Sequence, residues 1–301
     1  MKEALKSLVR SVPFIKKLYE QVEQEGLYPA GHYYSPIPAK EDVLAYVKAS
    51  KPLSRELLGL DLNEEAQRAT LKDYIGFYHE LPFPEKQSTR YRYYYDNTWF
   101  SYSDAIFLYS FLRKYKPRRI VEVGSGYSSA VILDTIDVFF AERPALTFVE
   151  PYPERLLGLL RDQDQQQVKL LEQTVQSVPL DVFLSLESGD LLFIDSSHVV
   201  KCGSDLHFLF FEVLPRLKPG VVVHFHDVFY PFDYPAEWLL EGRYWNENYF
   251  LRAFLSYNSE WSIQFFNTYV HFICGDVIRE NMPLCAKNPG GSLYIQRKAL
   301  A

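Results

Sequence analysis

Cysteine is scarce in this chain. Cys202, Cys274 and Cys285 show no metal-binding spacing and leave one thiol over in any disulfide scheme. A disulfide scaffold is therefore excluded, and a reducing, cytoplasmic compartment is expected. No run approaches the roughly 20 apolar residues of a membrane span. At the start, basic and apolar residues are interleaved rather than separated as in a cleavable signal. Lysine and arginine (32) are outnumbered by aspartate and glutamate (38), and no long basic block occurs, so the electrostatic footprint of a nucleic-acid binder is missing. Internal repeats and low-complexity linkers are absent as well.

What is present is a large apolar stock. Hydrophobic residues make up 48% of the 301, and aromatics reach 16% with 23 Tyr and 22 Phe. That suffices for a substantial core, in one large domain or a domain with an appendage.

The first region reads as a cap. Leu5, Leu8, Val9, Val12, Ile15, Leu18 and Val22 recur at helical spacing with Lys2, Lys6, Arg10, Lys16 and Lys17 between them. Pro13 interrupts the pattern and Glu20, Glu23 and Glu25 dilute its charge, which favours a helix packed on the body, or on a second copy in a homodimer, over a membrane-surface helix. Residues 26–60 are punctuated by proline and glycine, 63–79 read as a helix, and an aromatic run follows from Tyr91 to Tyr102. The division expected is a helical and irregular cap over 1–90 and a catalytic domain over 91–301.

The informative stretch is Ile120-Val-Glu-Val-Gly-Ser-Gly-Tyr-Ser-Ser129, followed by Leu146-Thr-Phe-Val-Glu150. It predicts strand, glycine turn, helix, strand and acid, which is half of an open sheet built to hold a nucleoside. Gly124 and Gly126 let a ligand approach the backbone, and the helix opening at Ser128 aims N–H groups at it. Glu150, at a strand tip, can accept both ribose hydroxyls. A dinucleotide fold would want a third glycine where Ser129 stands, and Glu122 would repel a pyrophosphate while suiting a cationic ligand.

With Glu122-Val-Gly-Ser-Gly126 and Glu150 in order, the chain resembles the class I S-adenosylmethionine-dependent methyltransferases. The resemblance implies S-adenosyl-L-methionine as cosubstrate, with Glu122 on its amino group and Gly124, Gly126, Ser128, Glu150 and Asp195 around it. Further strands are expected at Val168–Leu171, Gly189–Asp195 and Val221–Phe225, with helices at Val178–Leu186 and Cys202–Leu217. The fold expected is α/β: a doubly wound, mostly parallel Rossmann-like sheet with helices on both faces. Asn267–Ile273 reads as a late strand of a final antiparallel hairpin, and Pro283 onward carries no signal.

Asp195-Ser-Ser-His198 and His226-Asp227 end two of these strands, so their carboxylates and imidazoles converge at one sheet edge. Carboxylate and imidazole donors suit Mg²⁺ or another divalent metal, and an adjacent histidine could take a hydroxyl proton. The pattern is similar to the Methyltransf_24 and TylF-like branch, which includes macrolide sugar O-methyltransferases. That resemblance implies Asp195 and Asp227 as metal ligands and His198 as base. His226 stands where that branch has an acid, making it a ligand or a second base. As a structural alternative, Asp195 caps the following loop. His224 and His207 read as core residues.

Tyr102, Tyr230, Phe232, Tyr234, Trp238 and Trp245 are candidates for a substrate wall, or else for packing over the sheet edge. The activity expected is O-methylation of a small molecule. N-methylation, a noncatalytic nucleotide-fold module and a metal-dependent hydroxylase or hydrolase are the alternatives.

Overall fold

The computed structural model describes residues 27–49 and 52–299, so the amphipathic segment 2–24 lies outside the described residues. Contacts divide the chain into two compact units, Met1–Pro52 with Pro235–Tyr244 and Leu53–Tyr234 with Trp245–Ala301. The helix and the aromatic run between residues 53 and 102 pack into the same unit as the sheet. The backbone N–H of Phe266 on a late strand, for example, donates to the buried amide of Gln67 at 2.8 Å. The smaller unit contains α1 (Lys40–Lys48).

The larger unit opens with α2 (Glu64–Tyr78) and α3 (Ser103–Tyr115). The sheet then begins: β1 (Arg119–Val123), α4 (Tyr127–Phe139), β2 (Ala145–Val149), α5 (Glu154–Leu159) and β3 (Val168–Leu171). After α6 (Asp181–Leu184) come β4 (Leu191–Ile194), α7 (Asp205–Phe208) and β5 (Val222–His226). α8 (Ala236–Glu241) lies in the smaller unit, where it packs with α1. α9 (Glu247–Leu255), β6 (Trp261–Phe266), α10 (Asn267–Asn281) and β7 (Ser292–Arg297) complete the chain.

The strand order is β3-β2-β1-β4-β5-β7-β6. The first five in that order pair in parallel, and β7 runs antiparallel to both β5 and β6. From β1 the chain winds outward through β2 to β3, then returns to β4 on the other side. That reversal opens a crevice beyond the carboxyl ends of β1 and β4, where ligands bind in such sheets. β4 and β5 are buried along their whole length, as parallel strands covered on both faces must be. α3 packs between α2 and α4 and buries every residue from Ser103 to Leu112, the reason it is apolar nearly all round.

Three local readings differ from the sequence expectation. Asn267–Ile273 is helical, the start of α10, whose buried Asn267, Tyr269, Val270, Ile273, Cys274 and Ile278 recur at helical spacing despite the β-prone Thr-Tyr-Val. The hairpin exists, but its strands are β6 and β7, and β7 comes from the tail that carried no signal. The helix expected from Cys202 starts at Asp205, where Ser204 Oγ accepts from His207 N at 3.1 Å, and tightens to a 3₁₀ turn at Leu214–Arg216 over Pro215.

Candidate active site

The glycine turn leaves β1 at Val123. Gly124 has φ +81°, and a Cβ there would lie 1.6 Å from the carbonyl oxygen of Asp195, so only glycine fits. The Asp195 N–H donates to Val123 O at 2.8 Å, which locks the tip of β4 to the turn. Glu150, at the tip of β2, accepts from Ser125 N at 3.0 Å and from Tyr152 N at 2.9 Å. Its carboxylate thus braces the turn while facing the crevice. Gly126 N donates to Ser129 Oγ at 3.0 Å, opening α4.

Glu122 and Ser128 are hydrogen-bonded to each other. Glu122 is fully buried and accepts from Ser128 Oγ at 2.7 Å and from Ser129 Oγ. Burial pushes its carboxyl up to about 8, against the pull of the serine hydroxyls. Both side chains are engaged with each other, beneath the turn, and the pair supports the cradle from below. A ligand would meet Gly124, Gly126 and Glu150 first. The chemistry of this set, a bare backbone turn and a carboxylate at the next strand tip, fits a nucleoside with free ribose hydroxyls.

The second centre is His198. Its Nδ1 donates to Glu247 Oε2 at 2.8 Å, and its Nε2 stands 3.5 Å from both Asp195 Oδ1 and Asp227 Oδ2. The ring packs on Trp245, centroids 4.4 Å apart. Burial alone would lower the pKa of this imidazole. The hydrogen bond and charge of Glu247, with Asp195 and Asp227, outweigh it and hold His198 up to about 9. His226 is buried at the tip of β5, its Nε2 3.5 Å from Asp227 Oδ1 and its ring 5.0 Å from that of Phe100. Burial opposes its charge, but Asp227, Asp195 and Asp104 raise its pKa overall.

The residues before and within the first turn of α9 brace this centre. Asn246 N and Glu247 N both donate to His198 O at 3.2 Å, and Asn246 Oδ1 accepts from Val200 N. Asn248 donates to Asp227 O at 3.1 Å and accepts from Phe229 N at 3.0 Å. His198 and Asp227 both adopt positive φ, +58° and +55°, a conformation uncommon outside glycine that these bonds hold in place. Glu247 was not singled out by its sequence context, yet it is the residue that fixes the imidazole.

The expected aromatic wall separates into different roles. Tyr230 and Phe232 are buried; Tyr230 donates to Ser54 O, and both rings pack on Phe266. Tyr102 donates to Glu85 at 2.7 Å and lies parallel to Tyr95. Trp238 belongs to the smaller unit, where Arg243 lies over its ring at 4.5 Å. Tyr234 is buried beside Trp245, with ring centroids 6.0 Å apart, and so backs the ring that packs on His198. His224 is a core residue stacked on Phe193 at 3.9 Å and is held neutral by burial.

A divalent ion on Asp195, His226 and Asp227 would need three convergent free donors. Among the described residues no three such side chains converge as a ligand set. Asp195 and Asp227 instead face the imidazole of His198, and His226 is itself held toward its cationic form by the same acids. The negative charge that would attract an ion is already balanced by histidine, and the residues do not fit a metal centre.

Residues 121–228 match a family described as a methyltransferase domain. An uncharacterized protein of Archaeoglobus fulgidus is 35% identical over 183 residues, which is 56% of this chain and 79% of that one. Among solved structures, a SAH-bound methyltransferase of Podospora anserina is 16% identical, with a TM-score of 0.40 over 86% of this chain and 95% of that one. An O-methyltransferase of Streptomyces achromogenes in complex with SAM is 15% identical, with a TM-score of 0.40 over 86% of this chain and 96% of that one. No helix among the described residues is long and apolar enough to cross a membrane.

Proposed function

The chain belongs to the methyltransferase-domain family, and we propose that it moves the methyl group of S-adenosylmethionine onto a hydroxyl oxygen of a small molecule, with His198 as the base. One observation carries the reading: Asp195 belongs to both halves of the site. Its backbone closes the glycine turn, and its side chain faces His198 Nε2. The donor cradle and the imidazole are therefore held against each other by a single residue at the tip of β4.

When bound, the donor supplies an electrophilic methyl on a sulfonium. The protein's part is position and proton. Gly124, Gly126 and Glu150 hold the nucleoside end. Glu247 accepts from Nδ1, which fixes the tautomer and leaves Nε2 as the proton acceptor. A neutral Nε2 lone pair between two carboxylates is repelled by both, so this spot favours a proton. A hydroxyl brought there donates its proton to Nε2, and the imidazolium that results is stabilised by Asp195, Asp227 and Glu247. An amine already protonated at neutral pH has no lone pair to attack with and gains less from such a base. The acidic balance of the chain, −6, likewise favours a small acceptor over a nucleic acid.

Formation of S-adenosylhomocysteine with a panel of hydroxylated and aminated compounds tests the reading. Turnover is expected with hydroxyl acceptors; turnover confined to amines, or binding of NAD in place of S-adenosylmethionine, would overturn it. Two more results are expected. Glu150→Ala removes ribose hydrogen bonds worth about 1 kcal/mol each and loosens the turn, so S-adenosylhomocysteine affinity should fall roughly 30-fold by calorimetry. Unchanged affinity would remove Glu150 from the cradle. Exhaustive chelation should leave turnover unchanged, since the acids are already paired with histidine. Loss of activity on chelation, restored by Mg²⁺, would contradict this.

A further inference from the structure

We propose that Arg155 binds the carboxylate of the donor's methionine end, with Trp99 holding its guanidinium over the glycine turn. The inference rests on the donor assignment above and adds the residue that meets its one anionic group.

The crevice is lined by acids. Glu150, Asp195 and Asp227 follow the ends of β2, β4 and β5, in an arrangement that suits hydroxyls, an ammonium and a sulfonium. Asp195 and Asp227 have histidines beside them, but a carboxylate near the glycine turn also meets the charge of Glu150 and is held there only where a cation faces it. Arg155 supplies one. It lies in the first turn of α5, just beyond the tip of β2, and its side chain reaches across the turn. A Cβ built on Gly126 would lie 3.3 Å from Arg155 Cδ and 3.9 Å from its Nη1. Its charge is close enough to Asp195 and Tyr127 to oppose the upward shift that burial gives each.

The guanidinium lies 3.6 Å from the centroid of the Trp99 ring. Stacking uses the face of the guanidinium and leaves the N–H edge in its plane free for a planar, bidentate partner. Among the described residues no aspartate or glutamate lies within ion-pair distance of it, so that edge is not spent on an internal carboxylate. Trp99 is 59% exposed, large apolar surface left open to water at the mouth of the site. Its stacking limits the rotamers of Arg155 before the ligand arrives, which lowers the entropic cost of binding.

The test compares two ligands by calorimetry on the full chain. S-adenosylhomocysteine has the amino-acid end; 5′-methylthioadenosine keeps the nucleoside and thioether but lacks it. Arg155→Gln is expected to weaken S-adenosylhomocysteine about 10- to 100-fold, the loss of a bidentate charged hydrogen bond, while methylthioadenosine changes less than about threefold. Retained methylthioadenosine binding also shows that the variant is folded. Trp99→Leu should show the same selectivity with a smaller effect. Equal weakening of both ligands would assign Arg155 to the nucleoside or to the fold, and no weakening of either would leave it on the surface; each overturns the proposal. A wild-type chain that binds neither ligand refutes the donor assignment itself, a separate outcome.

Discussion

Replacing Arg92 with alanine is expected to destabilise the fold by about 3–5 kcal/mol, a large share of the roughly 5–15 kcal/mol that holds an ordinary domain folded. The side chain is 1% exposed and serves three carboxylates. Nη1 donates to Asp134 Oδ1 and Asp137 Oδ2, each at 2.7 Å, and Nε and Nη2 donate to Asp164 at 2.7 and 2.5 Å. The N–H groups of Arg92 and Tyr93 both donate to Asp134 Oδ2 at 2.8 Å. One guanidinium therefore ties the aromatic run to α4 and to the turn before β3. Without it, Asp134 and Asp164 are buried carboxylates that have lost their shared counter-ion. Burial already raises the Asp134 carboxyl and Arg92 pulls it down, so without Arg92 it is driven further toward the protonated form and the deficit should be larger at pH 8 than at pH 5. Arg92→Met, which keeps the volume and drops the charge, should behave alike. Urea unfolding that shows a loss under about 1 kcal/mol for both variants would refute the argument.

Arg92 also shows which parts of this molecule a sequence can disclose. β1, β2 and β3 were legible to within a residue because each is a short β-prone run rich in Val, Ile and Leu, and the glycine turn after β1 and the acid after β2 stand out against it. The acids and histidines at the tips of β4 and β5 were legible for the same reason. Arg92 was not: one basic residue in a run of tyrosines gives no sign that three aspartates, 42 to 72 positions away, close on it. Local propensity misled at Asn267–Ile273, where β-prone residues lie on a helix because β6 and β7 have already filled the sheet edge. The aromatic loops were ambiguous in principle, since a ring that packs and a ring that binds look alike. Tyr230 and Phe232 went into the core, while Trp245 went to the site.

Glu247 is the instructive omission. It lies on α9 four and eight residues before Leu251 and Leu255, all three buried on one face. A carboxylate on an apolar helix stripe is a signal, because burying it costs free energy unless a partner waits. Nothing in the spacing, however, connects residue 247 to residue 198. That link is made by the backbone of Asn246 and Glu247 bonding to His198 O, and only the fold reveals it.

The largest effect on catalysis is expected at that link. His198→Ala should lower turnover about 10²–10⁴-fold, the usual consequence of losing a positioned base, with donor affinity nearly unchanged because the cradle lies on β1 and β2. The pH dependence separates a base from a structural imidazole. His198 is held up to about 9, above the ordinary histidine value, by Glu247, Asp195 and Asp227. As a base it must be neutral to act, so kcat/KM should rise with pH and level off above about 9, with about one-hundredth of the limiting rate at pH 7. For stability the sign is opposite: a raised histidine pKa favours the folded state below the ordinary value and loses that contribution as pH rises through 9. Glu247→Gln keeps a hydrogen-bond acceptor at Nδ1 and removes the charge. The inflection in kcat/KM should then move down toward the ordinary range, and the limiting rate at high pH should fall because the imidazolium formed in the reaction is less stabilised. A His226→Ala variant leaves Glu247 and His198 in place, so its profile should keep the inflection near 9. If the inflection stays in His198→Ala and disappears in His226→Ala, the base is His226 at the tip of β5, and the pair formed by Glu247 and His198 serves to hold two strand tips together.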